Sequence, residues 1–250
     1  MSDIAKMYET VAAINATAHG DVSVALISGL EFSRQLTSAP VLAAEFGAAA
    51  SDMAIVFTGD DDVLVPVALL GIKENENLYL NDDAKWTGRY VPAFLRRYPF
   101  IFARGEDDTM TLCIDEEYEG LRVDGRGERL FDSDGNRTQY LDTMLNFVTQ
   151  YQRQHLVTQE FCKRLSALDL LEPASLSSTD EAGEVRRLVG FKVINRQKFK
   201  TIEDSILSEM FRSDELELCY LHMHSLQNFG IQLRSTITAA TKDEASSLIQ

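Results

Sequence analysis

The sequence predicts an α+β fold: a mostly antiparallel sheet, one long helix and a small C-terminal α/β lobe. Three observations predict it. Short runs rich in Val, Ile, Leu and Tyr, bounded by turn residues, follow one another between residues 22 and 114. A stretch of roughly 30 residues after Asn136 carries apolar side chains at helical spacing. Beyond Pro173 a Ser-rich connector leads to a further strand and two short helices. The division this suggests is a main domain over residues 1–172, a C-terminal lobe over 173–234 and a loose tail over 235–250.

In chain order, residues 22–27, 53–58, 63–71 and 77–80 are the first strand candidates. Gly59-Asp60-Asp61-Asp62 joins two of them as a hairpin loop, a solvated turn whose carboxylates need no cation. Pro66 lies inside a strand pattern and cannot donate to a ladder, so an edge position or a bulge is expected there. Residues 40–50 suggest a short helix with Pro40 in its first turn and Ser38 as cap. Residues 100–104 and 109–115 form a second hairpin candidate around Gly105-Glu106-Asp107-Asp108, followed by a polar, Gly-punctuated segment from Glu119 to Asn136.

The long helix has a capping box at Asn136 and Gln139, and apolar positions from Tyr140 and Leu141 through Tyr151 to Leu165 and Leu168. At ~1.5 Å per residue it spans about 45 Å. It is therefore expected to break in two or to rest one end on the C-terminal lobe. In that lobe, residues 187–194 suggest a strand, 204–211 a helix, and Asp214 with Glu217 opens a second helix closed by Gly230.

Lys plus Arg number 24 against 39 Asp plus Glu, a net charge of −15. A surface that acidic disfavours nucleic acid and anionic lipid as partners. Cys113, Cys162 and Cys219 stand among apolar neighbours with no CxxC pair, as buried reduced thiols would. No apolar run approaches the ~20 residues of a membrane span, and the first residues lack a leader pattern. A cytoplasmic protein is expected.

Catalytic templates fail one by one. Gly125-Arg126-Gly127-Glu128-Arg129-Leu130 lacks the third glycine of a dinucleotide loop. With Gly135 at position six of a calcium loop, Leu130 and Leu141 would occupy ligand positions, so a tight turn with Gly135 at positive φ is the better account. His222-Met223-His224 falls on a predicted helix, where i and i+2 point apart. No catalytic residue, metal site or cofactor is therefore assigned.

One local signal stands out. From Ala84 to Gly105 no Asp or Glu occurs, while Lys85, Arg89, Arg96, Arg97 and Arg104 share the segment with Trp86, Tyr90, Phe94, Tyr98, Phe100 and Phe102. The next 14 residues carry seven acids and no base. Guanidiniums beside rings suit a carboxylate or planar anion, because the fork donates two hydrogen bonds while the rings exclude water. The candidate ligand or partner site comprises Trp86, Arg89, Tyr90, Phe94, Arg96, Arg97, Tyr98, Asp115, Glu128 and Arg129. The competing expectation is an internal ion-pair network between these arginines and the acidic run or the Glu128/Asp132 loop.

Several blocks resemble the SapC family of proteobacterial proteins. They include Pro40-Val41-Leu42-Ala43-Ala44-Glu45-Phe46, the RYxPxFxRRYPF pattern from Arg89 to Phe100, Gly127-Glu128-Arg129-Leu130-Phe131 and Leu216-Glu217-Leu218-Cys219-Tyr220-Leu221-His222. The resemblance runs from about His19 to Leu233. It implies a setting beside TonB-dependent outer-membrane receptors, flavin-dependent tryptophan-halogenase-like proteins and cupin-like proteins, and brings no established catalytic residues with it. The first functional expectation is thus a cytoplasmic accessory protein, partner of a flavin-dependent or cupin-like enzyme. The alternatives are an enzyme acting on an anionic small molecule or peptide, with Arg96 and Arg97 holding the anion and Asp115, Glu116 or Glu128 as acid or base, and an S-layer-associated structural protein.

Overall fold

A computed structural model describes residues 7–25, 29–60, 63–105, 109–179 and 185–230. The expectations for residues 26–27, 61–62, 106–108, 180–183 and 235–250 lie outside the described residues. The fold is α+β, and its strands pair antiparallel. In order come β1 (Val11–Ala13), α1 (Ala16–His19), β2 (Ser23–Val24), β3 (Ser38–Pro40), α2 (Phe46–Ala49), β4 (Ile55–Thr58) and β5 (Val65–Leu69). There follow α3 (Ala93–Arg96), β6 (Phe100–Arg104), β7 (Met110–Asp115), β8 (Leu121–Arg122), β9 (Glu128–Arg129) and α4 (Gln139–Ala167). The C-terminal part holds β10 (Leu171–Thr179), β11 (Val185–Ile194), α5 (Arg196–Phe199), α6 (Asp204–Arg212) and α7 (Glu215–Ser225).

The main sheet runs β10-β11-β4-β5-β3, with smaller sheets β1-β7-β6 and β8-β2-β9 beside it. Period-two alternation divides the main sheet between two cores. Ile55, Phe57 and Ala68 face one together with Phe46, Phe161 and Leu165, while Val56, Val67 and Leu69 face Phe191 on the other side. A third core gathers Phe100, Ile114, Leu130, Leu141 and Val148. The long helix is unbroken because its N-terminal half packs on that third core and its C-terminal half, through Tyr151, Phe161, Cys162 and Leu165, on the first. Its far end also rests on the C-terminal helices, where Arg164 pairs with Glu209 at 2.8 Å and Glu215 at 3.2 Å.

Several sequence expectations are corrected. The helix cap is Thr138, whose Oγ1 accepts from the Leu141 N–H, rather than Asn136. Pro40 ends β3, and the helical turn begins at Ala43, where Glu45 accepts from the Leu42 N–H at 2.8 Å. Pro66 is in an interior strand: its carbonyl, and so its nitrogen, points toward the side where β3 has ended at Pro40, so the missing donor breaks no ladder bond. Residues 77–80 form turns with only a bridge from Leu80 to Trp86.

The Ser-rich connector after Pro173 is a strand, because β11 supplies the pairing that its composition does not promise. A boundary at residue 173 falls inside that strand, and the segment after it is joined to the rest at several points. Lys192 pairs with Phe57, Ser225 Oγ accepts from Ile55 N–H at 3.0 Å, and Asn228 donates to Ala50 and Met53 carbonyls. Gly135 does take a positive φ of 79°, in a turn where Asp132 accepts the Asp134 and Asn136 N–H groups.

Candidate functional site

The segment from Ala84 to Gly105 threads between the cores, and its charges are met by an unexpected set of groups. Two carboxylates from far upstream hold its backbone. Asp52 accepts the Arg89 N–H at 2.7 Å, and the buried Glu45 accepts both the Tyr90 hydroxyl and the Ala93 N–H at 2.6 Å. Burial, reinforced by Glu45, pushes the Tyr90 phenol up to about 12. Trp86 stacks on Tyr79 with ring centres 5.2 Å apart. A cis peptide joins Tyr98 to Pro99 and leads into β6.

The three central arginines have different fates. Arg97 lies over Tyr151 at 4.5 Å, Phe94 at 4.8 Å and Tyr8 at 5.9 Å, in a cage of π faces. Burial raises Tyr8 and Tyr151 to about 12, with the guanidinium pulling the other way. Arg96 is exposed; it donates to the Val91 carbonyl at 3.0 Å and the Tyr90 hydroxyl at 3.1 Å, and covers Phe147 at 5.4 Å. Arg89 projects from the surface. Among the described residues, which leave out Glu106, Asp107 and Asp108 of the acidic run, none of the three pairs with a carboxylate.

The open site lies on the other side of the same ring wall. Tyr98 stacks on Phe32 (ring centres 4.3 Å apart, planes at 30°), and meets Tyr118 edge-on at 5.3 Å. These rings line a cavity of about 200 Å³ whose remaining wall is Gly29, Glu9, Glu31, Glu117 and Glu119. Glu31 is held by Arg34 through contacts of 2.6 and 2.7 Å, whereas Glu9, Glu117 and Glu119 are exposed and make no ion pair among the described residues. Gly120 is required beside it, since a Cβ there would run into the Tyr118 ring.

Asp115 builds this pocket from behind. Fully buried, it accepts hydrogen bonds from Glu9 N–H at 3.0 Å, Thr10 N–H at 2.9 Å, Glu117 N–H at 3.3 Å and the Tyr98 hydroxyl at 3.2 Å. Burial first, then the neighbouring Asp115 charge, keep Tyr98 protonated well beyond the ordinary phenol range. A carboxylate so sealed orients its neighbours and has no access to a substrate.

The sequence-derived set is thus split. Arg97, Phe94, Tyr98 and Asp115 come together around Tyr8. Tyr90 and Arg96 touch each other, Trp86 and Arg89 flank them, and Glu128 and Arg129 belong elsewhere. Arg129 donates to the Gly20 carbonyl at 3.0 Å and faces Asp21 at 3.6 Å, while Glu128 lies near Tyr140. Composition missed the acid-rimmed pocket because its parts are dispersed. Its signal was three acid–aromatic runs, Tyr8-Glu9, Glu31-Phe32 and Glu117-Tyr118-Glu119, that the fold brings together.

Other chemistry-bearing groups are packed away. The three thiols are free and buried, and burial pushes Cys162 and Cys219 up to about 12. His222 is fully buried and accepts the Ile194 N–H at 3.1 Å, while His224 is exposed, so the two do point apart. Among the described residues no cluster of His, Cys, Asp or Glu is arranged to hold a metal ion, and no helix is long and apolar enough to cross a membrane. A larger cleft, about 450 Å³, sits at the β10–β11 bulge, but it brings no rings and acids together.

No curated protein and no solved structure matches the chain. The family model described as SapC matches residues 14–231 of the 250, a span that contains Phe32, Tyr98, Asp115 and Tyr118. The chain belongs to the SapC family.

Proposed function

We propose that this protein is a cytoplasmic accessory protein that binds a partner rather than transforming a substrate. Its partner is a flavin-dependent, tryptophan-halogenase-like enzyme or a cupin-like enzyme in a pathway linked to a TonB-dependent receptor. The observation that carries the reading is the pocket at Tyr98. Its rings offer rigid contact area, and Glu9, Glu117 and Glu119, which make no ion pair among the described residues, stand exposed at the rim. That suits recognition, whereas acid–base chemistry calls for a carboxyl withdrawn from water at the reacting atoms. Asp115, the withdrawn carboxylate of this region, spends its oxygens on four internal donors. The nature of the partner rests on the family's setting.

Co-expression of the full chain with each of the two candidate enzymes, followed by size-exclusion chromatography, tests this. A stoichiometric complex with one of them is expected. Absence of any complex, with turnover by the isolated chain, would overturn the reading.

A further inference from the structure

We propose that the Tyr98 pocket recognises an organic cation, the guanidinium or ammonium head of an alkyl chain. The inference rests on the reading of this pocket as a binding site and names what enters it. Phe32, Tyr98 and Tyr118 line the space, Phe32 and Tyr98 stacked on each other and Tyr118 edge-on to Tyr98, and an aromatic wall of this kind attracts cations to whatever ring face it leaves open. Glu9, Glu117 and Glu119 add negative charge at the rim. A carboxylate or phosphate ligand would be repelled there, and the chain's net charge of −15 adds a long-range bias in the same direction.

A bare metal ion does not suit this wall. The carboxylates do not converge as a metal-holding cluster among the described residues, and they are spread around a cavity of about 200 Å³. A butylammonium or a propylguanidinium is small enough to enter it, and each carries an apolar stem for the rings and a charged head for the rim. The same head occurs on a lysine or arginine side chain of a protein and on a free amine, and the chemistry of the pocket is common to both.

The wall is pre-formed by Asp115, which fixes the backbone of Glu9 and Glu117 and the Tyr98 hydroxyl in one hydrogen-bonded unit. A cation therefore meets an ordered site and loses little affinity to ordering.

The test is isothermal titration of the full chain with n-butylammonium, methylguanidinium, N-acetyl-argininamide, n-butanol and butyrate. Saturable binding of the cations at millimolar strength is expected for ligands of this size, with neither butanol nor butyrate binding. Glu117→Gln with Glu119→Gln should weaken the cations about tenfold, and Phe32→Leu several-fold, because charge and ring face are removed at nearly constant volume. Thermal unfolding of both variants verifies that they fold. Tighter binding of the capped arginine than of the small cations assigns a protein side chain as the source, and the reverse order assigns a free amine; either order supports the proposal. Equal binding of butanol, no saturation by any cation up to about 50 mM, or full affinity in the folded Glu117→Gln/Glu119→Gln variant would overturn it. Failure here with an intact enzyme complex removes this inference alone, and cation binding without a complex removes the accessory role alone.

Discussion

Two regions of this molecule combine aromatic rings with charge, and they do opposite things. Around Arg97, three rings close over a cation that the chain itself supplies. Around Tyr98, three rings line an open space with acids at its wall, and among the described residues no cation pairs with Glu9, Glu117 or Glu119. Tyr8 and Tyr98 meet edge-on at 5.3 Å between the two. The cage shows how this fold satisfies a positive charge with π faces, and the pocket offers the same chemistry to something from outside. Ring–charge composition by itself therefore does not distinguish a scaffold from a site; which partner the chain already supplies does.

The comparison can be broken at several points. The largest effect is expected at Asp115, which underlies the pocket. Asp115→Ala leaves three N–H groups and a hydroxyl unpaired, and should cost about 3–5 kcal/mol of stability in urea unfolding. Next is the cage itself. Arg97→Leu should cost about 2–4 kcal/mol through lost cation–π contacts and packing, against less than about 1 kcal/mol for the exposed Arg96→Leu. Equal costs would show that Arg97 is no more integral to the core than its neighbour.

A pH series needs a correction that comes from neither region. Burial lowers His222 from its ordinary range to about 3. The folded protein keeps this ring neutral while the unfolded chain protonates it near pH 6.5, so its contribution is fully present above that pH and is lost as pH falls toward 3. About 2 kcal/mol should disappear between pH 6.5 and pH 5, measured by urea unfolding, and His222→Gln should flatten that slope. The smallest effect is the most diagnostic. Glu117→Gln and Glu119→Gln should each change stability by less than about 0.5 kcal/mol, since both side chains are exposed and unpaired among the described residues. A larger loss would make them structural like Arg97.

What was legible in the sequence was local. The long helix, the β4–β5 and β6–β7 hairpins and the turn at Gly135 follow from period and turn chemistry within a few residues. Elements stabilised by distant partners were not. Residues 171–179 become a strand only because β11 pairs with them, and Pro66 sits in an interior strand only because β3 stops opposite it. The site divides in the same way. The Arg-aromatic segment was visible as a block, but Tyr8 and Tyr151, which settle the fate of Arg97, lie 89 residues before it and 54 after it. The acid–aromatic runs of the pocket are each unremarkable until the sheet β1-β7-β6 draws two of them together beside Tyr98.

The most direct test of the open-versus-closed distinction is an NMR titration of the folded chain with methylguanidinium, following the ring signals of both regions at once. The account predicts saturable shifts at Phe32, Tyr98 and Tyr118, with Phe94 and Tyr151 of the Arg97 cage unmoved. Shifts at the cage rings with none at Phe32 and Tyr118 would contradict it.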